Sequence, residues 1–230
     1  GNININSFDD GINANEDGVS VITINGGVVT VNAGAGQEGD GIDSNGWIVI
    51  NDGFIVTAAN ATSPDSGVDS DNGIYINGGT LLASGNMYDE VSNDSEQAYV
   101  VLSFADSIEA GQMFALKNAD GDVITAFSAA NDFQTLVYSS SELVDGDYTL
   151  YEISSAEGTE VSGLYIEVTS IEDETQLQYG SKNAGGFGGN GGAPMGGQAP
   201  NGQEGEAPSM PEGEMPSKPE GEAPDMAQIG

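Results

Sequence analysis

Ile24-Asn25-Gly26-Gly27, Ile50-Asn51-Asp52-Gly53 and Ile76-Asn77-Gly78-Gly79 are one phrase written three times, 26 residues apart at each step. A fixed period of this length marks a solenoid, in which each repeat stacks on the one before it. A second phrase keeps step with the first. It reads Asp10-Gly11-Ile12-Asn13-Ala14-Asn15, then Asp40-Gly41-Ile42-Asp43-Ser44-Asn45, then Ser66-Gly67-Val68-Asp69-Ser70-Asp71. The repeat sets the fold and also stacks carboxylate on carboxylate.

The residues leading into the first phrase (18–26, 45–53 and 72–79) alternate apolar and polar, the pattern of a half-buried strand. Ile22/Ile24, Ile48/Ile50 and Ile74/Ile76 fall in register and are expected to point inward. Val28–Ala33, Phe54–Ala58 and Thr80–Ala83 form a second stacked strand, apolar on both faces. A sheet apolar on both sides is covered on both sides, and the C-terminal half is the expected cover. Asn25, Asn51 and Asn77 form one corner ladder, whose amides can hydrogen-bond from rung to rung. Gly27, Gly53 and Gly79 form another, which permits positive φ at the turn.

Residues 1–96 are therefore assigned to parallel β-helix rungs. Residues 97–180 lose the period. Apolar runs at Tyr99–Phe104, Met113–Leu116, Val123–Phe127, Thr135–Tyr138, Tyr148–Ile153 and Leu164–Val168 predict an antiparallel β cap or flanking unit. Asp120-Gly121 and Asp145-Gly146 are hairpin or tight-turn signals. A solenoid end needs such a cover against edge-to-edge association. Residues 181–230 are rich in Gly, Pro and Glu, cannot bury a core and are expected to be a disordered tail. The chain opens on Gly1-Asn2-Ile3-Asn4-Ile5-Asn6, which reads as the middle of a rung, so a trimmed chain and a missing leader are expected.

The 230 residues carry 37 acidic and 3 basic side chains, with no histidine and no cysteine, for a formal charge of −34. That excludes nucleic acid, whose phosphates need Lys and Arg, and disfavours an anionic membrane surface. No apolar run approaches the ~20 residues that span a bilayer. The absence of cysteine removes disulfides, thiolate metal sites and a thiol nucleophile. The acidity reads either as solubility and self-repulsion or as oxygen ligands for hard cations.

Rungs lie about 4.8 Å apart, so Asp10 is expected over Asp40 and Asp43 over Asp69, with Asn13, Asn15, Asn45 and Asp71 alongside. Two carboxylates at that distance repel by roughly 3–4 kcal/mol at an effective dielectric near 20. A proton or a cation relieves this. Asp10, Asn13, Asp40, Asp43, Asp65, Asp69 and Asp71 are the candidate metal ligands, and an all-oxygen set suits Ca2+. The other reading is a set of solvated turn residues, since Asp and Asn favour Asx-turns. Trp47 and Tyr75 take outward positions on adjacent rungs, as diagonal neighbours ~7–8 Å apart. Aromatic faces on a flat sheet suit the C–H faces of sugar rings, unless the cap covers them.

Enzyme chemistry finds few parts. Paired carboxylates could be drawn for glycoside hydrolysis. A pectate-type lyase needs a calcium and a strong base, yet the basic residues are Lys117, Lys182 and Lys218, all outside the solenoid. No Ser or Thr has a histidine or nearby lysine to activate it. The Gly-rich stretch 184–192 has no phosphate-loop lysine and no preceding strand.

Ile22-Thr23-Ile24-Asn25-Gly26-Gly27, Gly39-Asp40-Gly41-Ile42-Asp43-Ser44-Asn45-Gly46 and Asn77–Gly85 resemble the carbohydrate-binding parallel β-helix domains of clostridial extracellular proteins, a family related in fold to pectate lyases. Tyr138–Leu143 and Gly146–Tyr151 resemble the C-terminal part of that family. The similarity runs over about residues 8–153. It implies an all-β, right-handed, single-stranded parallel β-helix that binds calcium and plant cell-wall or other polysaccharide without catalysis. Carried over by position, the resemblance makes Asp10, Asp40, Asp43 and Asp69 the metal-ligand candidates, although the third phrase has Ser66 in place of Asp, with Asp65 adjacent. The expectation is a monomeric, extracellular or cell-surface module, non-enzymatic, that does not insert into membranes. The rivals are a structural surface protein or adhesin stiffened by calcium, and a pectin-active lyase or hydrolase.

Overall fold

The computed structural model describes residues 1–177 and 181–185. The rungs are made by β1 (Asn2–Asn6), β2 (Ile12–Ala14), β3 (Val21–Asn32), β4 (Ile42–Ser44), β5 (Trp47–Ala58), β6 (Val68–Ser70), β7 (Gly73–Ile76) and β8 (Thr80–Gly85). They form a β-solenoid of about three turns with parallel sheets. β1, β3, β5 and β8 stack in parallel, β7 also pairs with β5, and β2, β4 and β6 form a second parallel stack. The register is the one the 26-residue period demands: Ile22↔Ile48, Ile48↔Ile74 and Ile50↔Ile76. Ile48, Ile50, Ile74 and Ile76 are all 0 % exposed.

The corners are held as the ladders predict. Asn51 Nδ2 donates to Asn25 Oδ1 at 2.8 Å, and Asn77 Nδ2 donates to Asn51 Oδ1 at 2.9 Å. Gly27, Gly53 and Gly79 have φ of 92°, 116° and 82°, a region L side chains rarely enter. Gly1 extends this ladder one step further, since Asn2 pairs with Val28.

The first rung distributes its residues differently from the others. Between β1 and β2 lie residues 7–11, whereas 33–41 and 59–67 fill the same corner above. The next corner compensates: 15–20 separate β2 from β3, against 45–46 and 71–72. The strands therefore keep their step while the corners vary.

The rest of the described chain is β9 (Tyr99–Ile108), β10 (Met113–Asn118), β11 (Val123–Ser128), β12 (Phe133–Ser139), β13 (Tyr148–Ile153), β14 (Ser155–Val161), β15 (Leu164–Glu172), β16 (Thr175–Gln176) and β17 (Ser181–Gly185). Two strands do not cap the solenoid as a separate layer but join its sheet. β12 pairs antiparallel with β8, and β9 with β12. The direction reverses at that point, so a parallel stack ends in antiparallel strands. β17 adds to β9, which carries regular structure past the boundary drawn at residue 180 from composition. The proposed tail otherwise lies outside the described residues.

The remaining strands make an antiparallel sheet in the order β14-β15-β11-β10-β13-β16. Asp120-Gly121 closes the β10–β11 hairpin. Asp145-Gly146 does not close a hairpin; it connects β12 in one sheet to β13 in the other. β14 has no counterpart among the predicted runs, because its residues Ser155–Val161 are mostly polar and exposed. The expected cover over the second stacked strand is present. Phe54 and Leu82, with Val28 and Val56, pack against Val100, Leu102, Phe104, Phe114, Phe127, Phe133, Leu136 and Tyr138. Phe133 meets Phe104 and Phe114 edge to face, with centroids 6.0 and 5.7 Å apart.

Candidate metal centre

The Asp-Gly-Ile-Asp phrase folds as a corner followed by a three-residue strand. Ile42 and Ser44 turn into the core, which sends Asp43 outward between them. The glycine is fixed by proximity. A Cβ on Gly41 would stand 1.7 Å from Thr57 Oγ1 and 2.4 Å from the Gly67 carbonyl oxygen, so the corner packs directly on the strand across the interior. Thr57 Oγ1 in turn donates to that carbonyl at 2.9 Å.

The expected stacking is observed. The Gly11 N–H donates to the Asp40 carbonyl at 3.0 Å, which sets Asp10 beside Asp40. β-ladder pairing puts Asn13 on Asp43 and Asp43 on Asp69. Of the seven proposed ligands, three converge: carboxylate oxygens of Asp40, Asp43 and Asp69 lie within 4.8 Å of one another. All three residues are half-buried.

The other proposed ligands have partners within the fold. Asp10 Oδ1 accepts from the Asp40 N–H at 2.9 Å, and its Oδ2 accepts from Asn13 Nδ2. Asp65 Oδ2 accepts from the Gly39 N–H at 2.6 Å and from Ser63 Oγ. Asp40 itself accepts from the Ser66 N–H at 2.6 Å. These carboxylates tie each rung to the backbone of its neighbour. Asp71 stays close enough to Asp43 to raise its pKa.

Burial dominates the electrostatics. It pushes the Asp40 carboxyl from 3.8 up to about 7, opposed by the Ser66 amide and assisted by Asp65, Asp10 and Asp43. Burial, then Asp10, Asp71 and Asp89, raise Asp43 to about 6. Burial and then Asp89 raise Asp69 to about 7. Residues 1–116, which include all of these carboxylates, contain no Lys, Arg or His. Lys117 is on β10, paired with Glu174 at 2.7 Å and set over the Tyr151 ring.

Two participants escape sequence reasoning. Asp89 lies outside the repeats, yet it is close enough to Asp69 to raise its pKa, and it accepts from the Ser70 N–H at 2.8 Å. It arrives because residues 87–91 make an irregular further rung, bridging Met87 to Ser66 and Val91 to Ile74. Ser66 stands one rung beyond Asp40, is fully buried, and its Oγ has no hydrogen-bond partner. The departure of the third phrase from Asp is the one sequence signal that marked this position.

The three carboxylates offer an all-oxygen donor set that could hold a metal ion.

The two aromatic residues are on the outer face as expected, and both are half-buried. Trp47 pairs with Gly73, and Val49 pairs with Tyr75. A Cβ on Gly73 would be 3.8 Å from Tyr75 Cε2, so the Tyr75 ring leans over the residue beside Trp47. Tyr75 also lines an open cavity of about 510 Å3 with Asp71, Asn72, Asp89, Glu90, Asn93 and Asp94. The acidic cluster and the aromatic face thus share Asp71 and Asp89 as their border.

No protein-family model, curated protein or solved structure matches this chain. Among the described residues no helix is long and apolar enough to cross a membrane.

Proposed function

We propose that this chain is a calcium-binding, non-catalytic module of an extracellular protein, and that it holds polysaccharide on the outer face of its β-solenoid. The observation that carries the reading is the convergence of Asp40, Asp43 and Asp69 from two rungs, with no cationic side chain in residues 1–116 to neutralise them. A divalent ion supplies that missing charge. Asp40, Asp43 and Asp69 would hold it, with Asp89 as a neighbouring carboxylate. Bound there, calcium cross-links consecutive rungs and stiffens the stack.

Trp47 and Tyr75 are the residues proposed to stack on sugar rings, and the cavity beside Tyr75 supplies carboxylate and amide oxygens for sugar hydroxyls. The acidic face repels a uronate chain. A neutral glucan, or an acidic glycan bridged by calcium, satisfies the electrostatics. Plant cell-wall polysaccharide, implied by the family resemblance, contains both.

A thermal melt in chelator, in millimolar calcium and in millimolar magnesium tests the metal. A ligand that binds only the native state raises its stability by ~2.7 kcal/mol at a hundredfold excess over Kd. The expected result is a calcium-specific rise in Tm. Equal Tm in all three conditions overturns the assignment. Retention on insoluble glycans, with and without calcium, tests the second half of the proposal.

One observation favours a second reading, a structural surface protein or adhesin. Asp10, Asp40 and Asp65 bond backbone amides of neighbouring rungs, a purely architectural use of carboxylates. Under that reading calcium raises Tm but no glycan is retained.

A further inference from the structure

Asn77 is the last member of the amide ladder. Its Nδ2 donates to Asn51 Oδ1, and no Asn on a further rung donates to its own Oδ1. The aperiodic chain crosses there instead, where the Gln97 N–H donates to the Ile76 carbonyl at 2.9 Å. Gln97 Nε2 donates to the Gly79 carbonyl at 2.9 Å and to Ser139 Oγ at 2.8 Å, which spends both of its amide hydrogens. Among the described residues, the oxygens of these two amides have no donor.

Both amides line a cavity of about 430 Å3, within the size range of small-molecule sites. It lies past the end of β7, whereas Asp71 and the metal centre come before that strand. The chain between β12 and β13 forms the facing wall, with Leu143 and Val144 as its apolar part. Buried Tyr148 fixes this wall: its hydroxyl donates to the Val144 carbonyl at 2.8 Å and accepts from the Val144 N–H at 3.0 Å. The Val144 side chain is therefore held out at 67 % exposure on an anchored backbone. The remaining polar part of the lining includes the carboxylates of Glu96 and Asp145, which accept only when ionised. The cavity thus offers an apolar wall and a set of acceptors.

We propose that this cavity binds a small primary alkylamine in its ammonium form. The aliphatic chain lies on Leu143 and Val144. The ammonium, with three donors and no acceptor, meets the Glu96 and Asp145 carboxylates and the amide oxygens of Asn77 and Gln97. Charge selects the same class. The chain carries −34, a field that draws in a cation and repels an anion. A neutral polyol also brings donors, but its oxygens need donors in return, and both Gln97 hydrogens are already spent. The site does not rest on the metal or glycan assignments.

The probe is n-pentylammonium chloride, titrated into the full chain at about 0.15 M salt, where exposed charges are screened beyond about 8 Å. Methyl NMR signals of Leu143 and Val144 report the binding. Pentanol lacks the charge and methylammonium lacks the chain, so each should bind at least tenfold more weakly. Glu96→Gln together with Asp145→Asn should lower affinity at least tenfold, and Val144→Ser severalfold. Glu109→Gln together with Asp120→Asn makes the same charge change outside the cavity and should leave affinity unchanged. All five residues are exposed, so none of these variants threatens the fold. The proposal is overturned if the Leu143 and Val144 signals do not move, if pentanol binds as tightly as the amine, or if the two double variants lose affinity alike. Nα-acetyl-lysine amide binding tenfold tighter than pentylammonium also overturns it, since the occupant is then a lysine of a partner polypeptide and not a free amine.

Discussion

Replacing Asp40 with Asn should stabilise the metal-free protein at neutral pH and weaken it once calcium is present. The amide keeps an oxygen to accept from the Ser66 N–H, which Asp40 now holds at 2.6 Å, and removes the charge. Burial raises the Asp40 carboxyl from 3.8 to about 7. The native state therefore keeps a proton that the unfolded chain releases near pH 4. Stability is fully present below that pH and is lost as pH rises toward 7. Full conversion of a change of this size gives about 4 kcal/mol. Asp40 is only half-buried, and solvent screening brings the figure to about 1–2 kcal/mol. For a chain of this length that is a Tm difference of about 2–8 °C. Calorimetric melts of both proteins in chelator, at about pH 4 and about pH 7.5, measure it. The two should coincide at the lower pH, and Asp40→Asn should melt higher at the upper one. The chain's overall negative charge destabilises both proteins alike as pH rises, so the comparison isolates this one carboxyl. Millimolar calcium should reverse the order. An Asp40→Asn protein that melts at or below the native one in chelator at pH 7.5 would refute the reasoning.

Asn51→Ala removes both amide bonds of the corner ladder; at roughly 0.5–1.5 kcal/mol each, chemical denaturation should show a loss of about 1–3 kcal/mol. Gly79→Ala sets a Cβ 2.6 Å from the Gly53 carbonyl oxygen at a φ of 82°. It should cost about 2–3 kcal/mol or more, read from the same denaturation curves. Asp89→Asn removes the neighbouring charge that raises Asp69 most and should lower the Asp69 titration midpoint from about 7, as followed by carboxyl NMR. Trp47→Ala should weaken glycan retention at least tenfold in affinity electrophoresis, while Val49→Ala, half-buried on the same face, leaves it unchanged.

The solenoid was legible because its information is local and periodic. Ile22, Ile48 and Ile74 announce their alignment by spacing alone, and the structure pairs them. The cap was legible as strands but not as topology. Nothing in Phe133–Ser139 says that it pairs with Thr80–Gly85 some fifty residues earlier, or that it does so antiparallel. Such pairing is decided by which apolar faces remain open once the rungs have formed. The acidic centre was legible in its columns, Asp43 on Asp69 above all, because a ladder repeats any side chain it carries. What spacing could not show was the competition for each carboxylate. Asp10 and Asp65 are taken by backbone amides and by Asn13 and Ser63. Asp89 enters from an aperiodic segment, where no repeat could point to it.

The unequal corners of the first rung have a consequence for how such a chain can change. Four residues fewer on one side of β2 are matched by four more on the other, and β3 still meets β5 in step. Insertions and deletions are thus absorbed where the chain turns, whereas a single residue added within a strand turns every later side chain of that strand to the opposite face. The loop at 15–20, which carries none of the converging carboxylates, is accordingly the place to splice in a foreign epitope or a reporter. The protein would then serve as a rigid mount, with the graft point set by the rung on which that loop sits.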